Sequence, residues 1–322
     1  MPHTLMTLPR ELRDKICTFA ILARKNDPPE LDQNFWQLIA DRESYPSAPP
    51  LRTWTSPNLI RYLPSSYHAS STPLLLVNRQ LCAETEQNLR ILKGARTYET
   101  DVIVLDEIIL VTTFLRVPVL ARTIDTSYVT FRIAGNYCTD PAAYEGFPDY
   151  KGFQVAPGLG PAMAWQIYGV LERFFLVGPT GANRHLDENR SVSIKSLDIN
   201  IETPPDVESW RFGPPRSSDW FALEEEDHVL DPGDLKDFVY VNIRHMLGMV
   251  AITGGFGNMF HEHLDEVVVR LDGKECKRYD VAKMFQELEF GPNAFTADRG
   301  AFEAWKAMAT QKRKKSGLRV LE

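Results

Sequence analysis

Apolar residues recur at every third or fourth position between Pro73 and Leu92. This spacing predicts one amphipathic helix, because side chains three or four positions apart lie on the same helical face. Ser71 and Thr72 can cap the start of this helix, and Gly94 can end it. The predicted apolar stripe consists of Leu74, Val77, Leu81, Thr85, Leu89 and Leu92.

A second amphipathic segment runs from Thr7 to Ala23, with an apolar stripe of Leu12, Ile16, Phe19 and Ala23. A helix of this length is marginal in water by itself, so it must pack against another element. We expect its first three stripe residues to pack on the stripe of the helix predicted between Pro73 and Leu92. The intervening residues 24–72 are rich in Pro and Ser, which predicts a long surface insertion.

The chain beyond residue 95 alternates predicted strands with predicted helices, which indicates a mixed α/β region with a largely parallel sheet. The predicted strands are Tyr98–Leu105, Tyr128–Ile133, Ser193–Ile201 and Val267–Leu271. The predicted helices are Glu107–Leu115, Met163–Val177, Leu235–Val250, a helix capped by Asp280 and a last helix from about Asp298. We therefore divide the chain into a helical region, 1–95, and an α/β region, 96–322, with irregular excursions at 135–161 and 203–234.

Three of the four predicted strands alternate apolar residues with polar or charged ones. Strands that are buried on both faces are nearly continuous in Val, Ile and Leu, so this alternation predicts a two-layer arrangement with one open sheet face. The open face is either a partner-binding surface or a hydrated face without a partner. Its predicted residues are Thr130, Arg132, Ser196, Asp198, Asn200, Val268, Arg270 and Asp272.

Composition places the chain among ordinary globular proteins, with 43% hydrophobic and 25% charged residues in 322. The net charge of −7 argues against nucleic acid as a partner over the whole surface. No apolar run reaches the ~18 residues of a membrane span, and the opening residues lack the order of a secretory signal. The four cysteines are widely scattered. We expect an intracellular protein, cytoplasmic or nuclear, with reduced cysteines and no membrane partner.

Two short motifs, LPRELRDKI and LLLVNRQLCAET, fall in the two predicted N-terminal helices. Together they resemble the large fungal group of F-box-like proteins, which carry an LPxE(L/I)RxxI opening and a later LLxVxRQxxxE helix. The opening motif matches at Leu8, Pro9, Glu11, Leu12, Arg13 and Ile16. The second motif matches at Leu75, Leu76, Val77, Arg79, Gln80 and Glu84.

The resemblance implies a compact helical unit that docks on the Skp-type adaptor of cullin ubiquitin ligases. It implies Leu8, Pro9, Leu12 and Ile16 as the adaptor-binding residues. It also implies a substrate-receptor role and, as in many such proteins, an irregular leucine-rich-repeat-like region after the helical unit. The 24–72 insertion departs from the compact family pattern. Alternatively, the same four residues are a helix start and its core face.

His261, His263 and Asp265 form the sharpest enzyme-like constellation. Two histidines two positions apart can bind one metal ion if they share a strand face, and the aspartate could add an oxygen ligand. A polar turn before the strand at Val267 would explain the same residues. The alternative function is therefore a metal-binding protein or an enzyme with a site here, whereas the leading prediction is a non-enzymatic protein without a cofactor. The basic run Lys312–Lys315 is either a nuclear-import patch or a solvated helix end.

Overall fold

The structure is a computed structural model that describes residues 5–31, 42–44, 59–63, 68–135, 153, 155–156, 160–179, 191–213, 229–249, 254–291 and 298–321. Within these residues the α-helices are α1 (Arg10–Leu22), α2 (Ser71–Val77), α3 (Arg79–Ile91), α4 (Ala162–Val177), α5 (Pro232–Gly248), α6 (Gly254–His263), α7 (Val281–Glu287) and α8 (Arg299–Lys315). The strands are β1 (Glu43–Ser44), β2 (Ile60–Tyr62), β3 (Thr97–Leu105), β4 (Ile109–Arg116), β5 (Thr123–Ala134), β6 (Val155–Ala156), β7 (Gly160–Pro161), β8 (Ser193–Glu202), β9 (Phe212–Gly213), β10 (Val229–Leu230), β11 (Leu264–Leu271) and β12 (Lys274–Asp280).

The main sheet is mixed and has the strand order β1-β2-β4-β3-β5-β8-β11-β12. Its centre is parallel, because β3 pairs with β5, β5 with β8 and β8 with β11 in the same direction. The pairs β3–β4 and β11–β12 are antiparallel. The predicted mixed α/β fold is therefore confirmed. Helix α4 lies in the crossover from β5 to β8, and α5 and α6 lie in the crossover from β8 to β11.

One face of the sheet carries the main core. Side chains of the crossover helices, such as Phe175, Val239 and Phe260, join Ile199 and Val269 of the strands in one continuous apolar cluster. The predicted buried helix at Met163–Val177 corresponds to α4, and the strand alternation places every second side chain of the central strands in this core. On the opposite face, β3 and β4 carry a smaller apolar cluster that Leu31 packs against. The same face of β5, β8 and β11 is mainly polar.

The segment Glu107–Leu115, predicted as a helix, is instead part of a hairpin between β3 and β4. Asp106 and Glu107 form its turn in the left-handed region, with φ of 49° and 60°. Gly135 supports this turn, since a Cβ at its position would lie 1.8 Å from the Asp106 Oδ1. Strand β4 pairs with β3 and is buried on both faces. Such a buried, mainly apolar run is ambiguous between helix and strand in the sequence.

The single helix predicted from Pro73 to Leu92 is also wrong, because the chain breaks at Asn78 into α2 and α3. Asn78 is extended, with φ of −161° and ψ of 169°, and its side-chain oxygen accepts a hydrogen bond from the Leu81 amide. Asparagine readily bonds to nearby backbone groups in this way, so it starts a new helix more easily than it continues an old one.

The insertion between the two motifs is joined to the sheet by its described parts. Strands β1 and β2, both from residues 24–72, extend the sheet beyond β4. The Lys25 amide donates to the Leu115 carbonyl at 2.8 Å, and the Asn26 side chain donates to the Phe114 carbonyl at 2.8 Å. The sheet thus takes strands from both sides of the boundary drawn at residue 95. Most of the excursion at 135–161 and part of that at 203–234 lie outside the described residues.

Helix α6 begins with the glycine-rich sequence GGFG, residues 254–257. Gly257 lets the two helices approach, because a Cβ there would lie 2.0 Å from the Met246 carbonyl oxygen. Asp280 caps α7 as predicted, and α8 begins near Asp298 as predicted, with Asp298 as its cap; both side chains accept backbone hydrogen bonds at the helix start. Across the described ranges, no helix has the length and apolar character that crossing a membrane requires. Of the cysteines, Cys17, Cys82 and Cys276 are free.

Candidate functional site

Helix α1 presents its apolar stripe to solvent. The side chains of Leu12, Ile16 and Phe19 are 46%, 45% and 76% exposed. The face of α1 that is buried instead carries Arg13, Cys17 and Ile21. The expectation that the stripe would pack on the second N-terminal helix is therefore wrong. A helix of 13 residues can bury either of two faces, and here the inward face is the one that carries the ion-paired side chain of Arg13.

That partner is Glu84 of α3. The Arg13 guanidinium donates from Nε to Glu84 Oε2 at 2.9 Å and from Nη2 to Oε1 at 2.5 Å. A third Arg13 hydrogen bond reaches the Leu8 carbonyl, and Gln80 donates to the same carboxylate at 3.0 Å. These bonds, first that from Arg13, lower the pKa of Glu84 to about 2. A bidentate pair of this kind fixes both the separation and the rotation of the two helices.

Further polar contacts join α1 and α3 beside the Arg13–Glu84 pair. Asn88 donates to Asp14 at 3.0 Å, and Arg10 donates to Gln87 at 2.5 Å. The motif residues Arg13 and Glu84 thus bond to each other although they lie far apart in the sequence. The apolar motif residues Leu12 and Ile16 take no part in this contact and remain exposed to solvent.

Other apolar motif positions are also accessible. Pro9 is exposed and Leu8 is half-buried, at the start of α1. Leu76 and Val77, from the second motif, are 78% and 61% exposed. The outward stripe of α1, defined here as Leu12, Ile16 and Phe19, extends over about 10 Å of helix. An exposed apolar helix face of this kind can bury itself against a protein partner.

The predicted open sheet face has the expected strand register. Thr130 pairs with Asn200, which pairs with Arg270, so these three side chains lie in one row across β5, β8 and β11. In the next row Asp198 lies beside Val268. Both are buried, so the expectation that every residue of this face is exposed is wrong. The Arg270 guanidinium lies against the Asp198 carboxylate.

Ion pairs link these strands on the open face. Arg270 donates to both oxygens of Asp198, at 2.8 and 3.0 Å. Ser196 donates to Glu266 at 3.0 Å, and Arg278 of β12 pairs with the same glutamate at 2.5 Å. Asp272 is exposed and accepts hydrogen bonds from Thr203.

Arg132 has a structural role rather than a surface one. Its guanidinium makes two hydrogen bonds with Asp101, at 2.6 and 2.7 Å, and donates to the Pro29 carbonyl at 2.9 Å. The Asp101 side chain is only 1% exposed. Arg132 therefore fastens the segment that follows α1 to the sheet, and it is unsuited to recognising a partner.

A depression of about 360 Å³ lies on the open face between this fastened segment and the ion-paired strands. Such a volume falls in the usual range of small-ligand and side-chain pockets. Four of the predicted face residues line it, and the sequence did not single out the remaining ones. The lining residues are Arg24, Glu99, Thr100, Leu115, Tyr128, Val129, Thr130, Asp198, Asn200 and Arg270.

The structure does not bring His261, His263 and Asp265 together as metal ligands. Both histidines lie at the end of α6, so they do not share a strand face. His261 Nε2 donates to the Leu247 carbonyl at 2.8 Å, and His263 Nδ1 donates to the Val192 carbonyl at 2.7 Å. The described part of the chain contains no group of three potential metal-ligating side chains.

The environment of these three residues is structural. Burial is the main cause that lowers the pKa of each histidine to about 4, so both rings are neutral. His263 stacks on Phe175 with ring centroids 5.3 Å apart. Asp265 pairs with Arg313 at 2.5 Å. The metal hypothesis and the polar-turn explanation both fail, because the histidines are packed parts of the helical layer.

The basic run Lys312–Lys315 is neither uniform nor wholly solvated. Arg313 is fully buried and, besides pairing with Asp265, donates to the backbone carbonyls of His261, Leu264 and Arg319. Lys312 pairs with Glu262 at 2.7 Å. Only two of the four side chains are left exposed, so the run is mainly an anchor for α8.

Comparisons of the chain with protein-family models, with curated proteins and with solved structures found no match.

Proposed function

We propose that this protein is an F-box-like interaction protein that docks on a Skp-type adaptor through the outward stripe of α1. In this proposal the helices α1–α3 are the F-box-like unit. The sheet region is the receptor part, with helices on one face and a polar open face, a layout resembling an irregular leucine-rich-repeat-like arc. The protein would thereby act as a substrate receptor of a cullin-type ubiquitin ligase.

The proposal rests on the different burial of Arg13 and of the apolar residues Leu12 and Ile16 in the opening motif. The motif residue Arg13 is buried against Glu84 of the second motif, whereas the apolar motif residues Leu12 and Ile16 face solvent. If the motif served folding alone, its apolar residues would be buried, since burial is what stabilises them. Exposed apolar residues held on a rigid helix pair instead favour a protein partner.

The attachment of the helix pair to the sheet also supports a receptor role. Ser70 and Ser71, at the start of α2, donate backbone hydrogen bonds to the Val117 and Pro118 carbonyls after β4. The contacts of Lys25 and Asn26 fix the other end, directly after α1. A bridging protein needs a fixed geometry between its two binding surfaces, and these contacts supply one.

A pull-down with purified Skp-type adaptor tests the proposal. We expect the wild-type chain to be retained and the double variant Leu12→Ala/Ile16→Ala to be lost, because both side chains are already exposed and their removal leaves the fold intact. The matched control is Met308→Ala, which removes a side chain of α8 that is 59% exposed. Failure of the wild type to bind, or equal retention of the folded double variant, would contradict docking through α1.

A further inference from the structure

In the depression on the open sheet face, the hydrogen-bond acceptors of the acidic side chains are largely used, whereas several donors are not. Its carboxylates are already engaged by neighbouring arginines. Glu99 accepts from Arg24 Nε at 2.7 Å through Oε2 and pairs with Arg116 at 2.7 Å through Oε1. Asp198 accepts from Arg270 Nε through both of its oxygens. The acceptor capacity of the two acidic residues is therefore largely used.

The donors of the same depression are only partly used. Arg24 is bonded through Nε, and its terminal Nη groups have no hydrogen-bond partner among the described residues. Arg270 is likewise held through Nε, and its terminal groups make only two long contacts, from Nη1 to the Gly273 carbonyl at 3.4 Å and from Nη2 to Glu275 at 3.7 Å. The hydroxyl groups of Tyr128 and Thr130 make no hydrogen bond to any described residue, and Tyr128 is 45% exposed.

Two guanidinium ends line the same depression. That of Arg24, in the segment after α1, has no partner among the described residues, and that of Arg270, in β11, is held only by contacts of 3.4 and 3.7 Å. A guanidinium whose Nε edge is paired still presents two terminal N–H donors, which match the two oxygens of a carboxylate. The depression is unsuited to a basic ligand, because its carboxylates, Glu99 and Asp198, are already paired with arginines. A ligand rich in acceptors, by contrast, would satisfy groups that now only water can satisfy.

We propose that this depression binds an acidic peptide segment of a protein partner, with Asp or Glu carboxylates received by Arg24 and Arg270. The proposal rests on the receptor role proposed above and names the chemistry of its ligand. A peptide fits better than a free carboxylic acid because the lining also offers apolar surface, chiefly the exposed Tyr128 ring, to the rest of a chain. Tyrosine and arginine are also the residues on which binding energy concentrates in protein interfaces.

Selection from a phage-displayed library of random 12-residue peptides on the immobilised full-length chain tests the proposal. Counter-selection uses the variant Arg24→Gln/Arg270→Gln, which removes both guanidinium groups. The matched control is Arg278→Gln, which removes an arginine from the same sheet face outside the depression. Selected peptides are then synthesised, and their affinity is measured by fluorescence anisotropy, together with that of versions in which Asp and Glu are replaced by Asn and Gln.

We expect peptides that depend on the two arginines to be enriched in Asp and Glu. Their affinity should fall at least tenfold on Arg24→Gln/Arg270→Gln and on amide replacement, and stay within twofold on Arg278→Gln. The proposal is overturned if no selected peptide depends on these arginines, or if dependent peptides are basic or uncharged. Displacement of the peptides by free succinate at a comparable concentration would also overturn it, since the site would then be one for small acids. None of these outcomes involves the adaptor, so failure here is distinguishable from failure of docking through α1.

Discussion

The orientation of α1 makes opposite predictions for two residues that lie two positions apart. Ile21 is fully buried, whereas Phe19 is 76% exposed. The hydrophobic periodicity of the sequence predicts the reverse, because Phe19 belongs to the apolar stripe and Ile21 does not. Truncation of each residue to alanine therefore tests which face of the helix packs inward, and so whether the stripe of Leu12, Ile16 and Phe19 is available to a partner.

The magnitudes follow from the exposed fractions. Ile21→Ala removes three carbon atoms from a fully buried side chain, which is worth about 2.4 kcal/mol at ~0.8 kcal/mol per methylene. The cavity left behind brings the expected loss of unfolding free energy to about 2–5 kcal/mol. A phenylalanine with three quarters of its surface exposed removes only roughly 50 Å² from water, so Phe19→Ala should cost about 1 kcal/mol at most.

Urea unfolding of both variants, followed by circular dichroism, measures these losses. We expect the Ile21→Ala midpoint to fall at least twice as far as that of Phe19→Ala, with unchanged dependence on urea concentration. An equal or larger loss for Phe19→Ala would show that the apolar stripe is buried, and the proposed docking surface would then not exist.

Three further predictions concern the helices and the buried charges. Asn78→Ala should lower the unfolding free energy by about 1 kcal/mol in urea titrations, because Asn78 caps α3, whereas in one continuous helix alanine would raise it. Burial lowers the pKa of His261 and His263 to about 4 in the folded chain. Below pH 6.5 the unfolded chain therefore binds more protons than the folded chain. The unfolding free energy should then fall on acidification towards pH 4, by up to ~1.4 kcal/mol per pH unit for each histidine. His261→Gln and His263→Gln should each flatten that slope, and an unchanged slope would refute the assignment. Arg313→Met should lower the unfolding free energy by about 3–5 kcal/mol, because it leaves the Asp265 carboxylate without its buried partner. The control Lys315→Met changes an exposed side chain two positions further along α8 and should alter the unfolding free energy by less than ~0.5 kcal/mol.

The elements that sequence predicts well are those whose local signals agree. The strands at Tyr98–Leu105 and Ser193–Ile201, the buried helix at Met163–Val177, the cap at Asp280 and the helix start near Asp298 all occur in the structure. In each case the side-chain period and the flanking residues favour the same conformation. The mixed α/β class follows from the order of these elements.

The failures occur where tertiary contacts outweigh local pattern. Apolar periodicity cannot show that Arg13 forms an ion pair with Glu84, beyond a long insertion, and that α1 therefore buries its other face. The apolar run after Glu107 satisfies both helix and strand, and pairing with β3 decides between them. Strand β12 was missed because an exposed edge strand of mainly charged residues carries no apolar alternation.

The candidate sites show the same contrast. The row of Thr130, Asn200 and Arg270 could be predicted, because strand alternation alone places these side chains on one face. Arg24 of the depression could not, since it reaches the sheet only through the packing of the segment that follows α1. The histidine pair was misinterpreted because spacing of two has a different meaning on a helix and on a strand.

Hydroxyl-radical footprinting of the full chain, with and without saturating Skp-type adaptor, tests the central claim most directly, because it measures the accessibility of individual side chains. Leu12, Ile16 and Phe19 should be oxidised in the free chain and protected in the complex, while Met308 should be oxidised equally in both. If the three side chains are unreactive in the free chain, or remain equally reactive with adaptor present, the outward stripe of α1 is not the docking surface.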